Sequence, residues 1–182
     1  MTEEKNSKFN ELVKPFLVLV GICLVVSVLL GYTNRVTAPV IEANELAQAE
    51  ATRKAVLEGA TGFTEVRLDE AKLKELGIAS AYKENSGLGY VITSSNKGYG
   101  GFVTVTVGIG PDGKVLKVSA DVSTETSGIG SKAGDADYTA KYVGLTGSAD
   151  SVDTISGATY SSTAVKKGVS AALAAFDTVK GA

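Results

Sequence analysis

The sequence predicts an α+β protein: an N-terminal single transmembrane helix, a stalk helix, and then a small antiparallel sheet packed with helices. Three observations carry this. Phe16 to Tyr32 reads FLVLVGICLVVSVLLGY without a charge. The middle of the chain alternates apolar and polar residues with period two. Apolar residues return at helical spacing near the C-terminus.

As a helix, the uncharged run would measure about 25 Å, and with Val13 and Thr33 it spans a bilayer core. A cleaved signal peptide is the competing reading, but the run exceeds a usual signal core and no small-x-small cleavage site follows closely. A lipoprotein anchored at Cys23 is disfavoured because Leu24 to Leu30 stay apolar. Lys5, Lys8 and Lys14 precede the run, whereas only Arg35 follows within fifteen residues. The positive-inside rule therefore places the N-terminus in the cytoplasm and the bulk of the chain outside, despite Glu3, Glu4 and Glu11. The expected organisation is a cytoplasmic N-terminus (1–12), a transmembrane helix (13–33), a stalk helix (34–60) and an extracytoplasmic domain (61–182).

Thr37 and Pro39 read as the start of the stalk, whose helix formers end at Gly59. Glu70 to Leu76 allows one or two helical turns before Gly77. Strands follow in LGYVITS from Leu88, in GFVTVTVGI with Val103, Val105, Val107 and Ile109 on one face, and in VLKVSADV from Val115. Pro111 to Lys114, PDGK, supplies the residues for a tight reversal between the last two. Asp135 to Val143 suggests a short helix. From Ser162 a final helix places Val165, Val169, Leu173 and Phe176 on one side.

At 182 residues there is room for one core plus appendages. A net charge of −2 with the 18 Lys and Arg spread along the chain argues against nucleic acid as a partner. Histidine is absent, which removes the usual general base and most zinc or heme ligation. A single Cys23 allows neither an internal disulfide nor a thiolate iron–sulfur cluster. No catalytic residue and no metal site is expected, so chemistry here requires a cofactor. Glycine is in excess, with 21 residues gathered mainly after Gly87 in clusters that imply close backbone approaches.

Asp153-Thr154-Ile155-Ser156-Gly157-Ala158-Thr159 forms D-x-x-S-G-A-T directly before the last helix. Gly157 and Ala158 remove bulk beside Thr159, and a helix start offers unpaired N–H groups to an anion such as phosphate. The plainer alternative is that Ser156, Thr159, Ser161 or Ser162 merely caps the helix. Lys97-Gly98-Tyr99-Gly100-Gly101 is either a close-approach element or a bulged turn. Thr124-Glu125-Thr126-Ser127-Gly128-Ile129-Gly130 is a second glycine-rich segment, with an ordinary loop as its alternative. Gly128 to Ala133 fits G-x-G-x-x-A, but Gly134 and Asp135 interrupt the helix that a dinucleotide fold requires and the strands pair antiparallel. The S-x-x-K matches at Ser80–Lys83 and Ser94–Lys97 are short enough to arise by chance.

D-x-x-S-G-A-T resembles the flavinylation motif of the FMN-binding domain shared by the G subunit of Rnf electron transport complexes and the C subunit of sodium-translocating NADH:quinone reductases. The likeness includes the anchor, the stalk and the outer domain. It implies covalent FMN, joined through its phosphate to the Thr159 hydroxyl, and recognition of Asp153, Ser156, Gly157 and Ala158 by an FAD-dependent flavin transferase with magnesium. The G-Y-G-G element at Gly98 to Gly101 and the E-T-P-G-L-G-like segment, in which Ser127 and Ile129 replace proline and leucine, resemble further family elements. Ser123 stands where many relatives have histidine. The resemblance thus nominates Ser156, Gly157, Ala158, Glu125, Thr126, Gly128, Tyr99 and Gly100 as flavin neighbours. The implied function is electron relay, without catalysis by this chain alone, in an ion-translocating Rnf-type complex. That complex would link ferredoxin/NAD electron transfer to Na+ or H+ transport, with membrane and iron–sulfur subunits as partners. The shortness of the chain favours the Rnf relative over the quinone-reductase one. A membrane-anchored binding module without flavin, or a stand-alone extracytoplasmic flavin reductase, are the alternatives.

Overall fold

A computed structural model gives the backbone of residues 2–181 and the side chains of residues 13–69 and 71–181. The side chains of Lys5 and Lys8, on which the orientation argument draws, lie outside the described residues. Two units divide the chain, Met1–Gln48 and Ala49–Ala182.

Helix α1 (Thr2–Val56) runs through both Pro15 and Pro39. The second helix start expected at Thr37 and Pro39 is therefore absent, and the helix stops at Val56 rather than at Gly59. Proline at position 39 forgoes one backbone hydrogen bond without ending the helix. Beside it, the hydroxyls of Thr33 and Thr37 donate back to the carbonyls of Leu29 and Thr33, at 2.8 and 3.0 Å. The large apolar side chains between Phe16 and Leu30 are exposed. α1 is the one helix among the described residues that is long and apolar enough to cross a membrane, and it fits a single-pass anchor.

The second unit is built on an antiparallel meander of five strands in the order β1-β2-β3-β4-β5. They are β1 (Phe63–Glu65), β2 (Ile78–Glu84), β3 (Tyr90–Lys97), β4 (Phe102–Ile109) and β5 (Val115–Asp121). Strands β3 to β5 are those expected from the alternation. β4 carries it most cleanly, with Val103, Val105, Val107 and Ile109 fully buried on one face. Each such side chain contributes roughly 1.5–3 kcal/mol on removal from water. The PDGK reversal closes with Gly113 N–H donating to Gly110 and Gly110 N–H to Lys114. Helix α2 (Glu70–Leu76) ends where Gly77 adopts φ 69°, a left-handed cap that glycine takes without a Cβ clash.

Helix α3 (Ala136–Thr139) continues into a 3-10 turn at Ala140–Tyr142. Helix α4 (Thr159–Lys180) crosses the sheet, burying Val165, Val169, Leu173 and Phe176 as its spacing predicts. Gly168 makes this packing close: a Cβ there would lie 2.7 Å from that of Val105. On the opposite sheet face, Val56 and Leu57 pack with Val91 in a smaller cluster. α4 thus covers one sheet face while the other is covered only around Val91, and α4 delivers its N-terminus to the sheet end where β3 turns into β4.

Candidate functional site

The turn between β3 and β4 is closed by Gly98 N–H donating to the Gly101 carbonyl at 2.8 Å. Its backbone wraps one carboxylate. Glu125 accepts from the N–H of Tyr99 at 3.1 Å, of Gly100 at 3.0 Å and of Gly101 at 3.3 Å. From the other side, the Ser161 hydroxyl donates to the same carboxylate. This explains the local glycines. A Cβ on Gly98 would stand 2.4 Å from Glu125 Oε1, and one on Gly130 would stand 2.7 Å from Ser161 Oγ. Burial pushes the Glu125 carboxyl up, but the Ser161 hydroxyl and the three backbone donors outweigh it and hold the group below the ordinary carboxylate value. Glu125 is thus a buried anion.

The segment before α4 is pinned at several points. Lys166 Nζ donates to the Asp150 carbonyl at 2.9 Å, and the Tyr138 hydroxyl donates to the Asp153 carbonyl at 3.2 Å. Tyr142, itself buried, donates to the Tyr138 hydroxyl at 3.0 Å. Burial, with the Tyr138 contact, raises the Tyr142 phenol well above its ordinary value. Ser162 Oγ accepts from Ile155 N–H and donates to the Ala158 carbonyl. Gly157 then turns the chain at φ 81°, open to glycine without strain.

At the N-cap of α4 stands Ala158, and no side chain caps the helix. The capping alternative therefore fails: Ser161 and Ser162 are engaged elsewhere, and Thr159 is the first helical residue. Thr159 is exposed, and its hydroxyl makes no hydrogen bond among the described residues. The N–H groups of the first turn, unsupplied by the helix itself, make the position hospitable to an anion.

These pieces enclose a cleft of about 350 Å³ lined by Tyr99, Glu125, Thr126, Ile129, Gly130 and Gly157 to Ser161. Tyr99 and Tyr160 stand at its mouth, both exposed, with ring centroids 6.2 Å apart and planes tilted by 46°. The lining is mainly apolar, with one anion, one helix start and, at that start, the unengaged hydroxyl of Thr159. It has the chemistry to hold a planar aromatic ligand by its faces and a phosphate by its end.

Of the residues nominated from sequence, Thr159, Gly157, Ala158, Glu125, Thr126 and Tyr99 come together in this cleft. Ser156, Gly128 and Gly100 lie outside its lining. Gly100 approaches the Thr124 carbonyl so closely that a Cβ would stand 2.2 Å from the oxygen. Gly128 turns its loop at φ 76°, its N–H donating to Ser131 Oγ. Asp153 enters the scaffold through its backbone carbonyl, and the carboxylate is exposed. Sequence reasoning did not nominate Ile129, Gly130, Tyr160 and Ser161. Tyr160 and Ser161 follow Thr159 directly, and their place on the first helical turn was the available signal. The G-x-G-x-x-A segment runs into a 3-10 turn at Gly130–Gly134 after an antiparallel strand, which is not a dinucleotide fold.

Residues 98–174, which hold the turn, Glu125, the motif and most of α4, match the family of FMN-binding domains. The matched stretch lies wholly within the second unit. Over 169 residues the chain is also 25% identical to the G subunit of the proton-translocating ferredoxin:NAD(+) oxidoreductase complex of Clostridium ljungdahlii, covering 87% of this chain and 88% of that protein. It resembles the G subunit of an Rnf complex over most of its length.

Proposed function

We propose that this chain is an electron-transfer subunit of an Rnf-type membrane complex, carrying FMN as a phosphoester on Thr159. One observation carries the attachment site: an exposed, unengaged threonine hydroxyl opens an uncapped helix beside an apolar cleft that ends in two tyrosines. The residues fit the group. The first turn of α4 would receive the phosphate, while Tyr99, Ile129 and Tyr160 would receive the ring. Bound FMN supplies one- and two-electron transfer, and the protein supplies its placement and surroundings.

Attachment is a transfer reaction. The Thr159 oxygen attacks the FMN phosphorus of FAD, the pyrophosphate bond breaks, AMP leaves, and the hydroxyl proton passes to a base. Among the residues lining the cleft, Glu125 is the one carboxylate, and it is occupied by four donors. The base and magnesium are therefore assigned to a flavin transferase, with Asp153, Ser156, Gly157 and Ala158 as its recognition sequence. The exposed Asp153 carboxylate is available to such an enzyme.

A tether suits this site because an open cleft buries too little of a ligand to retain it by affinity alone. The relay would serve a complex in which ferredoxin and NAD exchange electrons while an ion, Na+ or H+, crosses the membrane. The other membrane and iron–sulfur subunits of that complex are the partners. The lysines before the apolar run favour a cytoplasmic N-terminus and an extracytoplasmic flavin.

The test is Thr159→Ala expressed beside a flavin transferase. The variant is expected to fold yet show no flavin fluorescence in a denaturing gel, whereas the parent fluoresces. Fluorescence retained by the variant would move the attachment elsewhere. A parent that is colourless under the same conditions would favour the anchored binding module, and turnover by the isolated protein would favour a stand-alone reductase.

A further inference from the structure

We propose that Glu125 is a positioning residue that biases the flavin toward its oxidised state, clasping the Tyr99–Gly101 turn to helix α4 and setting a negative charge on the cleft floor. This rests on the flavin reading above and assigns a role within it.

The clasp joins parts of the chain that are far apart in sequence. Tyr99 follows β3, Glu125 follows β5, and Ser161 lies on α4, 36 residues beyond Glu125. Through this one carboxylate the two tyrosines at the cleft mouth are held to a common frame, Tyr99 by its own N–H and Tyr160 through its neighbour Ser161.

A clasp alone does not require a charge. A glutamine could accept the same N–H groups and donate to Ser161 without the penalty of burying an anion. The carboxylate is 7% exposed, and its partners are neutral donors. The salt bridges among the described residues, Lys114–Asp112 and Lys117–Glu58, do not involve it. The other titratable groups lining the cleft are the phenols of Tyr99 and Tyr160. Lys132, on the neighbouring Gly130–Gly134 turn, makes no ion pair with Glu125. The charge is thus dispersed over hydrogen bonds and left uncancelled. Reduction adds electron density to the flavin ring, and a nearby anion in a medium of low polarity raises the energy of the reduced form more than that of the oxidised form.

The test uses the full-length flavin-loaded protein. Intact mass first establishes the adduct on the parent and on Glu125→Gln, and spectroelectrochemical titration then gives the potential. Glu125→Gln is expected to raise it, by about tenfold in the reduced-to-oxidised ratio at a fixed electrode potential. Loaded Glu125→Gln with the parental potential would overturn the proposal. If that variant does not fold or load, the parent and Ser161→Ala decide. The potential of the parent should bend on the acid side, below the ordinary carboxylate value, and the bend should move to higher pH in Ser161→Ala, which loses a donor. Coincident curves with no bend would overturn the proposal. A parent without an adduct would instead contradict the covalent-flavin reading itself.

Discussion

Single side chains do much of the organising in the second unit, and two of them are buried carboxylates. Glu84 is fully buried at the bend between β2 and β3, where it accepts from the N–H and hydroxyl of both Thr61 and Ser86 and from Leu88 N–H. The Ser86 hydroxyl leads in holding it down to about 2, with the backbone donors adding to this against the upward push of burial. A carboxyl depressed in the folded state contributes stability that is fully present above its ordinary value of 4.5 and lost as pH falls toward about 2. Glu125 acts in the same direction. Urea midpoints measured between pH 7 and pH 2 should therefore fall through that window, and Glu84→Gln should be weaker at pH 7 with a shallower acid fall. Tyr138→Phe tests the support beneath the motif. It removes the bond to the Asp153 carbonyl and leaves the buried Tyr142 hydroxyl without its acceptor, at a cost of about 1–3 kcal/mol. It should also lower the yield of flavin adduct, read by in-gel fluorescence.

Among the elements, legibility followed the range of the interactions. The period-two run of β4, the reversal at PDGK, the Gly77 stop of α2 and the apolar stripe of α4 are local patterns, and each appears where the sequence places it. β1 is only three residues long, and β2, IASAYKE, alternates imperfectly and shifts register between Ile78 and Ser80. Neither announces itself, because pairing with distant strands rather than intrinsic preference makes them strands. The same holds at the site. D-x-x-S-G-A-T and Glu125 stand out as letters, but the bond from Ser161 to Glu125 is a tertiary contact that spacing does not encode. Pro39 misled for a related reason, since one lost hydrogen bond does not end a long helix that is sustained on both sides. Gly168 lies mid-helix where alanine would be the better helix former, yet added bulk would meet Val105 and the Ser94 hydroxyl, 2.6 Å away. Gly168→Ala is therefore expected to destabilise the unit by about 1–3 kcal/mol, measured by denaturant unfolding.

At the scale of the molecule, the apolar helix and the second unit have separate tasks. The core of the second unit lies within Ala49–Ala182. A chain beginning at Ala49 should stay in the soluble fraction and unfold at the same denaturant midpoint as the full-length protein in detergent, and a markedly lower midpoint would mean that the first unit supports the core. The full-length chain should partition with membranes, as the exposed apolar run implies. The second unit, in turn, presents the cleft proposed to hold a tethered flavin. Intact-mass analysis of the denatured protein, purified from a host that contains the transferase, tests this most directly, with peptide mapping of the segment from Asp153 to Lys166. A gain of one FMN less one water, located on Thr159, is the predicted result; an unmodified chain, or an adduct on any other residue, would contradict it.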